Sequence, residues 1–302
     1  MRPVRRPLGQ PLVVRRHRGV VGFVEALEAE PAIHHEADRH VAEREGVAAD
    51  VRAVGAEVLV ELAHFLGDLR ARQQLESRGV TPATQSQLGL GYAPPGREAL
   101  KAHLLAAGYP LTALLQSGLV LRRDSGEIVD RFRNRLMIPI CRDSGAVVAF
   151  GGRSMDADQV PKYLNSPETP IYSKGRTLYG LHLTKAAIRK VGFAVIVEGY
   201  FDSAQVHQSQ AAPAVASCGT ALTPQQARLL RRFTNKVVLS YDPDAAGQNA
   251  AVRSCDLLVA EGFDVNVAGN AHGAPGSYFF PYAGDWSIPG TGRRAEWNVL
   301  SD

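Results

Sequence analysis

The chain has 302 residues, enough for one large domain or two smaller ones, and its 45% apolar share provides ample material for a core. A formal net charge of +4 is only mildly basic, so the placement of charge matters more than its total; no apolar run approaches the roughly 18 residues of a membrane span. Three scattered cysteines, Cys141, Cys218 and Cys255, form neither a C-x-x-C pair nor a disulfide framework, which points to a reducing, cytoplasmic compartment.

The N-terminus, "MRPVRRPLGQPLVVRRHRGVV", is basic but has no continuous apolar stretch, so it does not read as a secretory signal. Residues 1–70 stay unassigned. "FVEALEAE" and "AEVLVELAHFLGDL" have helical composition but carry no chemistry. "HHEADRH" resembles a zinc-protease motif, yet His35 and His40 are i,i+5, about 140° apart on a helix, so they do not share a face for zinc.

Residues 71–190 read as mixed helix and strand with a basic character. "ARQQLESRGVT" predicts a helix closed by Gly79, and "PGREALKAHLLAAGYP" a second one ending at Gly108 and Pro110. "RLMIPICRDSGAVVAFGGR" predicts a hairpin, with strands at 136–140 and 146–150 and a turn at Asp143-Ser144-Gly145. Arg131, Arg133 and Arg135 alternate, which on a strand would set all three on one face. A stripe beside a nucleic-acid groove and a charged edge strand are equal readings of that alternation.

Residues 191–268 are the most regular. Apolar strands at 194–197, 214–217, 236–240 and 264–268 alternate with helices near 202–209, after Thr223-Pro224, and from Ala245 to a stop at Gly262. This pattern predicts a parallel sheet covered by helices on both faces. Residues 269–302 lose the pattern and read as an irregular tail.

In an open α/β sheet, functional groups collect beyond the carboxyl ends of the strands. Glu198 ends the first strand of this unit, Asp242 and Asp244 follow the third, and Asp202 lies one helical turn after Glu198. Alone, Asp-Pro-Asp reads as a turn in which Asp244 caps the next helix. If the first and third strands are neighbours, the four carboxylates converge, and a divalent cation relieves their repulsion.

"AVIVEGYFD", "VASCGTALT" and "LSYDPDAAGQNAA", in this order, resemble the Toprim domain of bacterial DnaG-type primases. "DRFRNRLMIPICRDSGAVVAFGGRSM", "PKYLNSPETPIYSKGRTLYGL" and "LESRGVTPATQSQLGLGYAPPG" are similar to the basic half of the same catalytic core, so the resemblance covers about residues 71–268. It implies a Toprim-type parallel sheet preceded by a mixed α+β basic subdomain. It also implies synthesis of short RNA primers on single-stranded DNA from ribonucleoside triphosphates. By resemblance, Glu198, Asp242 and Asp244 bind Mg²⁺, with Mn²⁺ as a substitute, and Asp202 supports them. Arg153, Lys162 and Lys174 match the family's basic residues that face nucleotide and template, and Asn165 and Arg176 are candidates beside them.

The sequence departs from the family at its ends. It has no counterpart of the family's zinc ribbon, so zinc is not expected. After Ala268 only Asp285 stands where the family places a further acidic pair. The module that contacts the replicative helicase is likewise not recognisable. The expectation is a primase core flanked by frame-altered or rearranged ends. Two alternatives stay open at this point: a remnant that only binds single-stranded DNA, and another Toprim enzyme such as a nuclease.

Overall fold

The computed structural model describes residues 46, 48–55, 58, 69–217, 219, 221–242, 244–270, 277–279 and 297–298. "FVEALEAE", "HHEADRH" and nearly all of "AEVLVELAHFLGDL" lie outside the described residues. Helical backbone at 48–55 is followed by helices α1 (Leu69–Glu76) and α2 (Pro82–Leu88). Gly79, at φ +66°, sits in the left-handed exit from α1, and Thr81 caps α2 ahead of Pro82.

Strand β1 (Gly91–Ala93), helices α3 (Ala99–Ala106) and α4 (Leu111–Gln116), and the ribbon of β2 (Val120–Arg122) with β3 (Ile128–Asp130) come next. Helix α3 has no side-chain bond from its own N-cap residue, Glu98. Asp130, buried on β3, does that work: its two carboxylate oxygens accept from Leu100 N–H and Lys101 N–H, each at 2.9 Å. Replacing Asp130 with Ala strands those two donors and is expected to cost about 1–3 kcal/mol, read from urea unfolding.

The expected hairpin forms as β4 (Arg135–Cys141) and β5 (Val147–Ser154), with Gly145 at φ +94° in its turn. With β6 (Tyr163–Asn165) they build an antiparallel sheet in the order β1-β4-β5-β6. The arginine stripe does not form. Asn134 takes a left-handed φ of +50°, stabilised by bonds from Tyr92 Oη (2.9 Å) and to Asp156 (2.5 Å), so the strand begins only at Arg135. The guanidinium groups turn to carbonyls: Arg131 donates to Gly118 O, Arg133 to Asp130 O, and buried Arg135 to Gly152 O and Pro161 O. Burial depresses the pKa of both Arg131 and Arg135. These arginines tie neighbouring main-chain segments to one another.

The second half is the expected α/β unit. Helix α5 (Leu181–Val191) leads to β7 (Ala194–Val197), α6 (Tyr200–Ser209), β8 (Ala214–Ala216), α7 (Pro224–Arg231), β9 (Lys236–Leu239), α8 (Ala245–Ala260) and β10 (Asp264–Val267). The four strands are parallel in the order β10-β9-β7-β8. Their alternation is read out in the packing. Val195, Val197, Ala214, Ala216 and Val238 join one core, which also receives Leu136, Ile138 and Ile140 of β4. Ala194, Ile196, Val215, Val237 and Leu239 join the core on the other face, with Leu181, Ile188, Leu230 and Leu258 of the helices. One face of the parallel sheet therefore packs against the antiparallel sheet. Tyr179 and Ala216 exchange both main-chain bonds (2.9 and 3.1 Å), which covers the β8 edge. Three short strands, β11 (Gly269–Asn270), β12 (Ser277–Phe279) and β13 (Trp297–Asn298), pair antiparallel beyond β10, where the sequence shows no periodic element.

Candidate functional site

The order of the parallel sheet makes β7 and β9 neighbours, so Glu198 and Asp242 emerge side by side at its carboxyl edge. Glu198 Oε1 accepts the main-chain N–H of Asp242 at 2.9 Å. Asp202 accepts from Gly199 N–H at 2.9 Å, closing the first turn of α6 under Glu198. Asp244 caps α8, its Oδ1 accepting from Gly247 N–H at 2.7 Å. The capping reading of Asp244 is thus realised, and its charge still reaches the edge. Burial is the main cause that raises the Glu198 pKa above its ordinary value, and the charges of Asp242, Asp202 and Asp244 push it further in the same direction.

Gly247 permits this approach. A Cβ there would lie 2.2 Å from the Asp242 carbonyl oxygen and 2.8 Å from Glu198 Oε1. The first turn of α8 therefore rests directly on the two strand ends.

Among the described residues no three His, Cys, Asp or Glu side chains are already gathered into a metal-binding set. The donor chemistry nevertheless suits Mg²⁺, which takes oxygen ligands, retains several waters and needs only one or two carboxylates. The Glu198 charge, disfavoured by burial first and by three neighbouring acids after it, is what such a cation would neutralise.

The cationic side lies against the same turn. Tyr200, at the start of α6, donates from Oη to Asn165 Oδ1 on β6 at 2.8 Å, which ties β6 to the acidic edge. Gly151 of β5 is required there, because a Cβ would lie 2.7 Å from the Tyr200 ring. Arg153 is buried on β5, donates to Tyr163 Oη at 2.8 Å, and its guanidinium lies 5.4 Å from the Tyr163 ring and 5.8 Å from the Phe201 ring. Arg153 Nε is buried with no hydrogen-bond partner among the described residues. Lys162 is exposed next to this pair, its carbonyl accepting from Ser154 N–H at 2.8 Å.

Lys174 and Arg176 belong to a different contact set. They lie on a 3₁₀ turn, Lys174–Arg176, fastened to the start of α7. Fully buried Gln226 donates to Lys174 O and Thr177 O at 3.1 and 2.8 Å, and Thr223 Oγ1 donates to Gly175 O at 2.5 Å. Arg176 is exposed and lines a cleft of about 580 Å³ with Arg142, Gln225 and Leu229.

Sequence reasoning missed two side chains of the cationic wall. The Arg78 guanidinium lies 4.8 Å from the centre of the Phe201 ring, which the Arg153 guanidinium also approaches. Tyr163 is 40% exposed beside Arg153 and presents an aromatic surface. Tyr163 stands inside "PKYLNSPET", where its place directly after Lys162 was a usable signal. Arg78 follows α1 inside "LESRGVTPATQSQLGLGYAPPG", a motif of the resemblance, but no local spacing relates it to Phe201.

The family model "DNA primase catalytic core, N-terminal domain" matches residues 63–185, and "Toprim-like" matches residues 195–273. A DNA primase of Clostridium acetobutylicum is 43% identical over 199 residues, 66% of this chain and 33% of that protein. Among solved structures, the zinc-binding and RNA polymerase domains of the Aquifex aeolicus primase superpose with a TM-score of 0.71 at 35% identity, over 80% of this chain and 62% of that one. A DnaG primase catalytic domain bound to single-stranded DNA gives 0.68 at 33% identity, over 76% of this chain and 74% of that one. The chain belongs to the DnaG-type primase family. It spans about a third of the length of the curated primases it matches, and the matched part is the catalytic core. No helix among the described residues is long and apolar enough to cross a membrane.

Proposed function

We propose that this chain acts as a primase catalytic core in the bacterial cytoplasm, joining ribonucleoside triphosphates into short RNA primers on a single-stranded DNA template. Residues 71–190 form its basic half, residues 191–268 its Toprim half, and residues 1–70 and 269–302 flank them. The observation that carries the reading is the Tyr200–Asn165 bond. It sets the acidic edge, which suits metal-bound phosphates, directly beside a wall of guanidinium and aromatic groups, which suits a nucleic-acid strand.

Glu198, Asp242 and Asp244 would hold Mg²⁺, with Mn²⁺ as a substitute. The bound cation supplies charge neutralisation for the triphosphate and activates the attacking 3′-hydroxyl. Glu198, at the end of β7, would also help to take the proton of that hydroxyl. Asp202 keeps the turn that presents Glu198. Arg153, Lys162, Lys174 and Arg176 neutralise phosphates without reading sequence, and Asn165 orients the nucleotide side of β6. Tyr163 offers a stacking face to a base of any identity.

The test is a template-dependent primer assay with the purified chain, four ribonucleotides and Mg²⁺. Short RNA products are expected, lost on chelation and restored by Mg²⁺ or Mn²⁺. Salt-sensitive binding of single-stranded DNA without synthesis would instead support the DNA-binding remnant.

A further inference from the structure

Helix α6 carries Phe201 and Asp202 in its first turn and two glutamines in the turns that follow. Both glutamines bind the main chain of the α1–α2 connection. Gln205 Nε2 donates to the carbonyl of Arg78. Gln208 Nε2 donates to the carbonyl of Gly79 at 2.8 Å, while its Oε1 accepts from Thr81 N–H at 2.7 Å. Two side chains of one helix thus hold three main-chain groups within a four-residue stretch.

That stretch needs external bonds. Gly79 is in a left-handed conformation at the exit of α1, and Thr81 is the N-cap of α2. A helix exit followed at once by a helix entry leaves several main-chain groups without helical partners. Gln208 is suited to the place because a side-chain amide both donates and accepts, which a carboxylate or an ammonium cannot do. The residue inside the clamp is Arg78, whose guanidinium covers Phe201, and Phe201 stands on the same helix as the two glutamines. Clamp and stacking partner therefore move as one body.

We propose that Gln205 and Gln208 are positioning residues. By fixing the Arg78–Gly79 main chain to α6, they hold the Arg78 guanidinium over Phe201, beside Arg153, where it meets a phosphate of the bound single strand. This rests on the reading above that the guanidinium–aromatic wall faces nucleic acid.

The experiment measures binding of a mixed-sequence single-stranded oligonucleotide to the full chain by fluorescence anisotropy across a salt series. Gln208→Met keeps the length of the side chain and removes both hydrogen bonds but no charge. It is expected to weaken binding several-fold and to lower the slope of log K against log salt by about 0.7, the contribution of one phosphate contact on a single strand. Arg78→Ala should give the same loss of slope, and the double variant should be no weaker than Arg78→Ala alone. A merely structural glutamine would leave the slope untouched, since no charge is lost. Wild-type slope in Gln208→Met, with a reduced slope in Arg78→Ala, overturns the clamp. Additive losses in the double variant also overturn it. Wild-type binding by Arg78→Ala overturns the proposal at its foundation, the assignment of Arg78 to the strand. If Gln208→Met does not fold, Gln205→Met, which removes only the bond to Arg78 O, carries the same comparison.

Discussion

Glu198→Gln is expected to lower Mg²⁺-dependent primer synthesis by about 10²–10³-fold and, in metal-free protein, to raise the melting temperature at neutral pH. The two effects have one cause. The Glu198 carboxylate is half-buried and surrounded by the charges of Asp242, Asp202 and Asp244, so its ionisation is disfavoured relative to its ordinary value of 4.5. A carboxyl whose pKa is raised on folding binds protons more readily in the native state than in the unfolded one. Stability therefore falls as pH rises from 4.5 through the raised native value, and the penalty is fully present above it. A neutral amide removes that penalty and can keep the acceptor role toward Asp242 N–H. The stabilisation by Glu198→Gln should be largest near pH 7 and vanish as the pH drops below about 4.5. Activity goes the other way. Removing one electrostatic partner of a charge-developing transition state typically costs about 10²–10³-fold, and Asp242→Asn should fall in the same range. Melting curves of wild type and Glu198→Gln from pH 4 to 8, in chelator, check the first half; a destabilised variant, or a difference from wild type that does not change with pH, would remove the argument that charge is concentrated at this edge.

The legibility of this site followed the range of the interactions that build it. Glu198 and Asp242 could be found because each closes an apolar run, and strand ends of a parallel sheet are where such groups collect. That β7 and β9 are neighbours is set by the whole sheet, and a local pattern left it conditional. The Thr223-Pro224 start of α7 was equally local: Thr223 accepts from Gln226 N–H at 3.1 Å and Gln226 returns a bond to Thr223 N–H at 3.0 Å. Arg131, Arg133 and Arg135 show the opposite case. Their spacing satisfied a period of two, but one left-handed residue, Asn134, cancels it, and its conformation depends on Tyr92 and Asp156. Arg78 was beyond reach for a related reason. Its place over Phe201 follows from glutamines on a helix far along the chain, a relation that no local spacing expresses.

Gly247→Ala is the steric counterpart of the charge argument, and its expected sign is opposite to what position alone suggests. In an exposed helix interior, exchanging Gly for Ala gains about 0.8–1.0 kcal/mol of helix propensity. At Gly247 the added methyl would stand 2.2 Å from the Asp242 carbonyl oxygen, 2.9 Å from its carbon and 2.8 Å from Glu198 Oε1. The first obstacle is main chain and cannot rotate away, so either α8 lifts or the β9 exit moves. Overpacking of this kind costs about 1–3 kcal/mol, which corresponds to a fall of roughly 2–12 °C in melting temperature for a domain of this size. Either movement also strains the Asp244 cap at Gly247 N–H and the Glu198–Asp242 bond, the two contacts that set the spacing of the carboxylates. A misplacement near 1 Å costs about 10²-fold in rate when reacting groups must be held in register. Primer synthesis should therefore fall by about that factor, and the concentration of Mg²⁺ needed for half-maximal activity should rise in parallel. A variant that melts like wild type and synthesises primers at the wild-type rate would mean that α8 does not rest on the strand ends, and the acidic edge would need another account.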